Sequence, residues 1–244
     1  MLDRLAAEKA TGSFMRERGT LHLSDGQVIY ADSPETPDLE ALLTAGGALS
    51  PENWRDALDE AGPEQRVGRF LVDSGRLPKG ALELCHLGAL YDAAFFVLGP
   101  GGGPARFRYG VAHWMGAVRP VPVDAVQRET SRRRELLHEI WPEAEADSEP
   151  LVRTSLPLDT NLSPRQRAIL EHVDGVRTAA DISRVLGRPA FHTLVDVRRL
   201  AAAGIVAAAR RTPRPATVPT RLPGISAGPD VALLRRLRNA LEAL

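Results

Sequence analysis

The strongest chemical signal in this 244-residue chain lies in its last third, on Arg188, His192, Thr193, Arg199, Arg210, Arg211 and Arg214. A guanidinium is a planar fork that fits the major-groove edge of guanine, while imidazole, hydroxyl and further guanidinium groups suit phosphate oxygens. A helical wheel centred on Leu194, Val197, Leu200 and Ala201 turns Arg188, His192, Val195, Asp196 and Arg199 outward. Two of those outward positions oppose a polyanion. Asp196 sets a negative charge in the middle of the face, and Val195 is apolar. Arg210, Arg211 and Arg214 follow in a proline-rich stretch, where exposed cations gain from counterion release.

The charge distribution separates the same region from the rest. Lys+Arg and Asp+Glu are 31 each, so the formal net charge is zero. Residues 1–150 nevertheless hold 16 basic and 24 acidic side chains, and residues 151–244 hold 15 and 7, giving −8 and +8. An overall zero excludes a uniformly basic nucleic-acid coat and an acidic disordered solubiliser, while the split points to two modules, the second facing an anion. Arg supplies 29 of the 31 basic residues, so its placement informs and its abundance does not.

Other chemistries lack the spacing they require. Gly99-Pro100-Gly101-Gly102-Gly103 has no following Lys-Ser/Thr and precedes a strand, so it reads as a loop and not a phosphate cradle. His22, His86, His113, His138, His172 and His192 show no i, i+4 pairing and no H-E-x-x-H spacing, so no metal is expected. Acidic pairs such as Asp59-Glu60 fall on exposed helix faces, and no Gly-x-Ser-x-Gly elbow occurs. Cys85, the only cysteine, sits among Leu82, Leu84 and Leu87 and reads as a buried inert thiol. The sequence therefore names no catalytic residue and no cofactor. No apolar run approaches the roughly 20 residues of a membrane span. Met1-Leu2-Asp3-Arg4 lacks the features of a signal peptide, so the expected location is cytoplasmic, without a membrane partner.

Several elements must position these residues. Leu2–Lys9 reads as a short helix before a strand that starts at Thr11-Gly12. Leu21-His22-Leu23, the turn Ser24-Asp25-Gly26 and Gln27–Ala31 spell a β-hairpin, because Asp-Gly tolerates the positive φ of a type I′ turn. Helices are predicted over 38–43, from the Ser50-Pro51 cap through Trp54, Leu58 and Ala61, over 67–72, and over 79–98. The last of these carries Leu84, Leu87, Tyr91 and Phe95 as its apolar stripe. Ala105–Tyr109 reads as a returning strand.

A long helix over 123–141 follows, with Val123, Val126, Thr130, Leu137 and Ile140 inward and Arg132-Arg133-Arg134 on a solvated, salt-bridged face. Glu143–Glu149 is an acidic linker. Beyond it, Ser163-Pro164, Thr178 and Pro189 start three short helices, and Ile205–Arg211 reads as a strand. Residues 212–229 contain five prolines and read as a spacer. Leu234, Leu237, Leu241 and Leu244, spaced 3, 4 and 3, form an amphipathic seam for a second chain or for the chain's own helices.

Two resemblances organise the chain. Thr11-Gly12, Leu21-His22-Leu23, Asp25–Ala31 and Val67–Leu77 resemble the DUF4388 family, related to the N-terminal domain of cyanobacterial PatA regulators, over about 40% of the chain. That resemblance implies a mixed sensory or interaction module without catalytic residues. Residues 162–211, above all "TAADISRVLGRPAFHTLVDVRRLAAAGIV", resemble a winged helix-turn-helix, whose third helix enters the major groove.

The expected fold is α+β: a mixed α/β domain over 1–115, a connecting helix and acidic linker over 116–150, the winged helix over 151–212, a spacer over 213–229 and a terminal helix over 230–244. The expected function is a bacterial DNA-binding transcriptional regulator, working as a homodimer on duplex DNA with a protein partner for its N-terminal domain. The alternative is a signalling adaptor that binds no DNA and makes protein contacts through both modules.

Overall fold

Asp25 and Gly26 both hold left-handed backbone, with φ of 49° and 75°, as a type I′ hairpin demands. The computed structural model, which describes residues 1–101, 103–155 and 162–209, builds an antiparallel sheet around that turn. α1 (Leu2–Ala7) leads into β1 (Gly12–Arg16), β2 (Gly19–Ser24) and β3 (Gln27–Asp32). Four helices follow: α2 (Leu39–Ala45), α3 (Pro51–Ala61), α4 (Val67–Asp73) and α5 (Lys79–Val97). β4 (Arg106–Tyr109) and β5 (Val121–Pro122) then complete the sheet in the order β4-β1-β2-β3-β5. The cap read from sequence is in place, Ser50 accepting from Asn53 N–H at 3.2 Å, while Asp38, expected as the first residue of its helix, stands just before it as a cap and accepts from Ala41 N–H at 2.7 Å.

The sheet owes its two-sidedness to one irregularity. Leu21 and Leu23 alternate as expected and join Phe14, Val28 and Ala31 in a core against Leu90, Ala93, Ala94 and Val97 of α5. The β2–β3 register shifts between His22 and Leu23, so Ile29 is an extra residue in β3. Such a bulge reverses the alternation beyond it and leaves a ladder group unpaired. Val28 and Ala31 consequently share one core, while Tyr30 turns to the opposite face beside His22. The freed Ile29 carbonyl accepts a hydrogen bond from His86 Nε2 at 2.8 Å.

α5 departs from its expected stripe. Leu84 is 74% exposed, whereas Leu82, His86, Ala89, Leu90 and nearly every residue from Asp92 to Val97 is buried. One stripe suffices for a helix packed on one side; the second half of α5 is covered on all sides, and Asp92 is the one charged residue within it. Cys85 is half-buried instead of fully enclosed, and burial raises its thiol pKa. By length and composition α5, at 19 residues, is the one described helix apolar enough to cross a membrane; 56% of its most apolar window is buried within this fold.

The segment over 116–150 is no linker between separate domains. α6 (Val123–Ile140) places Val123 and Val126 in the sheet core, and its Leu137 joins a second core further along the chain. The acidic stretch folds into α7 (Glu145–Ser148), whose Ala146 is buried. Next come β6 (Leu151–Arg153), α8 (Pro164–Glu171), α9 (Ala179–Val185), α10 (Ala190–Ala202) and β7 (Val206–Ala208). β7 lies where the sequence places a strand, and it pairs antiparallel with β6, which precedes the three helices. Met1–Ala209 forms one compact unit. Leu234, Leu237, Leu241 and Leu244 lie outside the described residues.

The arginine run of α6 also differs from its expected solvated face. Arg132 alone is exposed in an ion pair with Glu129, at 2.8 Å. Arg134 donates to the Leu98 carbonyl at 2.6 Å. Arg133 is buried, pairs with Asp92 of α5 at 2.7 Å and Glu129 at 2.9 Å, and lies 4.5 Å from the ring centroid of Phe191 in α10. The other Asp92 oxygen accepts from the Phe191 backbone N–H at 3.3 Å. Three helices meet at this pair. Arg133→Ala should lower stability in urea unfolding by about 3–5 kcal/mol, because it strands a buried carboxylate. The double replacement Arg133→Met with Asp92→Leu should cost far less; equal losses would show that packing, and not the unpaired charge, sets the cost.

Candidate functional site

α10 begins directly after Pro189, whose ring pre-sets the backbone, and ends before Gly204 at a φ of 69°. Arg188, His192 and Arg165 surround a cavity of about 140 Å³, with Ile169, Pro189, Thr193 and Asp196 completing its wall. Arg188 Nη1 is buried there without a hydrogen-bond partner. His192 and Arg199 are exposed, as the wheel requires. Thr193 is only 3% exposed and donates to the Pro189 carbonyl at 3.2 Å. Asp196, expected outward, is 9% exposed and lies 3.7 Å from Arg199. Val195 is half-buried and packs against the core. Arg210, Arg211 and Arg214 lie outside the described residues.

The wheel misplaces these residues because it assumes a single buried stripe. α10 is packed on two sides. Leu194, Val197 and Leu200 share a core with Ile169, Leu170 and Ile182 of α8 and α9. Phe191 meets Phe95 of α5 with ring centroids 5.7 Å apart and planes tilted by 59°, and carries the Arg133 contact. Arg198 reaches α7, with Nε 2.6 Å and Nη2 2.7 Å from the two oxygens of Asp147, and also donates to the Trp141 carbonyl. Gly187 touches α2, where an added Cβ would come within 2.6 Å of Ala45 Cβ.

Most cations of this half are engaged. Arg153 donates to the Leu170 carbonyl, Arg177 pairs with Asp174, and Arg184 pairs with Asp181 while donating to the Pro34 carbonyl. Arg198 and Arg199 pair as described. Among the described residues after 150, Arg165, Arg167 and Arg188 are the arginines without a side-chain bond or ion pair.

A second constellation escaped sequence reasoning, since its members are far apart in the chain. Tyr30 stacks on His113 at 4.0 Å, His113 lies 4.5 Å from His22 and 4.8 Å from Trp114, and Tyr30 lies 5.9 Å from His86. Ser13 Oγ, His22 Nδ1, His22 Nε2 and Asp32 Oδ2 make a cross-strand relay with bonds of 3.1 and 3.0 Å. Its order matches a hydrolytic triad, but the serine is 5% exposed, and the relay works as a polar ladder holding three strands. Among the described residues, no group of three or more His, Cys, Asp or Glu side chains is spaced to hold a metal ion. Burial, with His22 adjacent, pushes the His113 pKa down to about 3, and burial lowers His86 as well.

These neutral rings make the fold acid-sensitive. In the unfolded chain His113 takes its proton near its ordinary pKa, about 6.5, whereas the folded ring resists until about 3. Its contribution is therefore complete above about pH 6.5 and is lost as pH falls toward 3. At pH 5 the loss from His113 is about 2 kcal/mol. Urea unfolding of His113→Phe at pH 7 and pH 5 should show a pH dependence smaller by about that amount; an unchanged slope would remove His113 as the cause.

No family model matches the chain, and neither a curated protein nor a solved structure does.

Proposed function

We propose that this chain is a signalling adaptor that binds no DNA, works by recognition and not catalysis, and makes protein contacts through both halves. The observation that carries the reading is the packing of α10 on two sides. A helix that reads the major groove needs one side free along its length. On α10 only His192, Arg199 and Ala202 are exposed, and Arg199 lies beside Asp196.

The charge pattern supports the same reading. Phosphate tracking uses unpaired cations. Five of the eight described arginines after residue 150 are held by carboxylates or carbonyls of this chain. The free edge strand β4, with Arg106, Arg108 and Tyr109 exposed, is the kind of sheet edge that accepts a partner strand.

One observation favours the DNA-binding regulator as a second reading. Arg165, Arg188 and His192 converge on one cavity without carboxylate partners for the two arginines. Fluorescence anisotropy of the full chain with labelled duplex DNA, including genomic promoter fragments, separates the two. The adaptor reading expects no retained DNA at low salt. Binding whose log K falls steeply as salt rises, and which Arg188→Ala with Arg199→Ala abolishes, would overturn it.

A further inference from the structure

The wall of the helical core of the N-terminal half opens into a cavity of about 270 Å³ lined by Tyr30, Leu39, Trp54, Leu58 and Trp114, with Asp38 and Glu40 among its residues. Trp54 and Trp114 meet edge to face, with centroids 5.8 Å apart and ring planes at 84°. Tyr30 lies 6.1 Å from Trp114 at 53°. Two indoles at nearly a right angle and a phenol beside them make the corner of an aromatic box. The Ile29 bulge creates it, because only the reversed alternation turns Tyr30 toward this side.

The acidic residues are available. Asp38 caps α2 with Oδ1 and is exposed, which leaves Oδ2 open. Glu40 is half-buried in the first turn of α2. Among the described residues neither carboxylate has a cationic partner, whereas Glu8, Asp56, Glu64, Asp73 and Asp124 of this half each stand opposite an arginine. Tyr30 is 6% exposed, enclosed among the residues of the wall.

We propose that this cavity binds a methylated ammonium group. Aromatic faces attract a cation through the ring quadrupole, most strongly at Trp, when the charge lies within about 6 Å of the centroid. The mostly apolar lining favours a cation with methyl groups over a small hydrated one, since little water must be stripped from it. Asp38 and Glu40 supply the opposite charge at the margin, which a neutral ligand of the same shape could not use. The group could be carried by a free small molecule or by a methylated lysine on a partner chain. The site stands apart from the adaptor reading, since either source fills it.

Calorimetric titration of the full chain tests this with choline, with its uncharged carbon isostere 3,3-dimethylbutan-1-ol, and with a short trimethyllysine peptide. Sodium chloride at matched ionic strength serves as the blank. Saturable binding of choline or the peptide, about tenfold tighter than the isostere, is expected. The tighter of the two cations identifies the source. Trp114→Leu should weaken binding about tenfold. Glu40→Gln, a change at the surface of α2 that leaves the core intact, should weaken it by a few-fold. No binding of either cation, equal binding of choline and the isostere, or an unchanged affinity in Glu40→Gln would each overturn the proposal.

Discussion

Asp92 and Arg133 form the interaction on which the arrangement of the two halves depends. Each charge is buried, so neither has water to fall back on, and each is satisfied only when α5, α6 and α10 are together. Asp92 gives one oxygen to Arg133 and the other to the first turn of α10, while Arg133 spans Glu129 and the Phe191 ring. A pair of this kind adds less stability than apolar residues of the same volume would, but it tolerates few alternative arrangements. The opposite net charges of the two halves meet at a different pair, Asp147 and Arg198, 2.6 Å apart.

The sheet is governed by a different local constraint with similar reach. Inserting Ile29 sends Tyr30 to the polar face, frees one carbonyl and calls for His86 to satisfy it. His22, His113 and Trp114 then assemble around the redirected ring. An extra residue in one strand has in this way assigned roles to side chains from β2, α5 and the loop before β5.

Features set within a few residues were legible in the sequence. The Asp25-Gly26 turn and the caps Ser50, Ser163 and Thr178 depend on short-range backbone geometry, and each stands where the residue types put it. Features that need a distant partner were not. Periodicity locates α10 but identifies a single buried stripe, so neither the placing of Thr193 and Asp196 beside Arg165 and Ile169 of α8 nor the covering of Phe191 and Arg198 by α5, α6 and α7 has a signal in the helix itself. Leu151–Arg153 is too short to show alternation, and its strand character comes from pairing with β7. Alternation misassigns Tyr30 for the same reason that it succeeds for Leu21 and Leu23: it assumes an unbroken register. The aromatic box was illegible because Tyr30, Trp54 and Trp114 come from three separate elements.

The β6–β7 pair carries a consequence for how such a chain can change over evolutionary time. Leu151 lies opposite Ala208, so the intervening helices form a closed excursion that leaves and returns at one place. By path alone, that excursion could be swapped for another without rerouting the rest, much as a cassette is exchanged. Its contacts work against this freedom. Phe191 and Arg198 are committed to α5, α6 and α7, and a replacement lacking them would take the Phe191 ring from Arg133 and leave Asp147 without its ion-pair partner. Connectivity makes this segment portable, and side-chain chemistry makes it a resident.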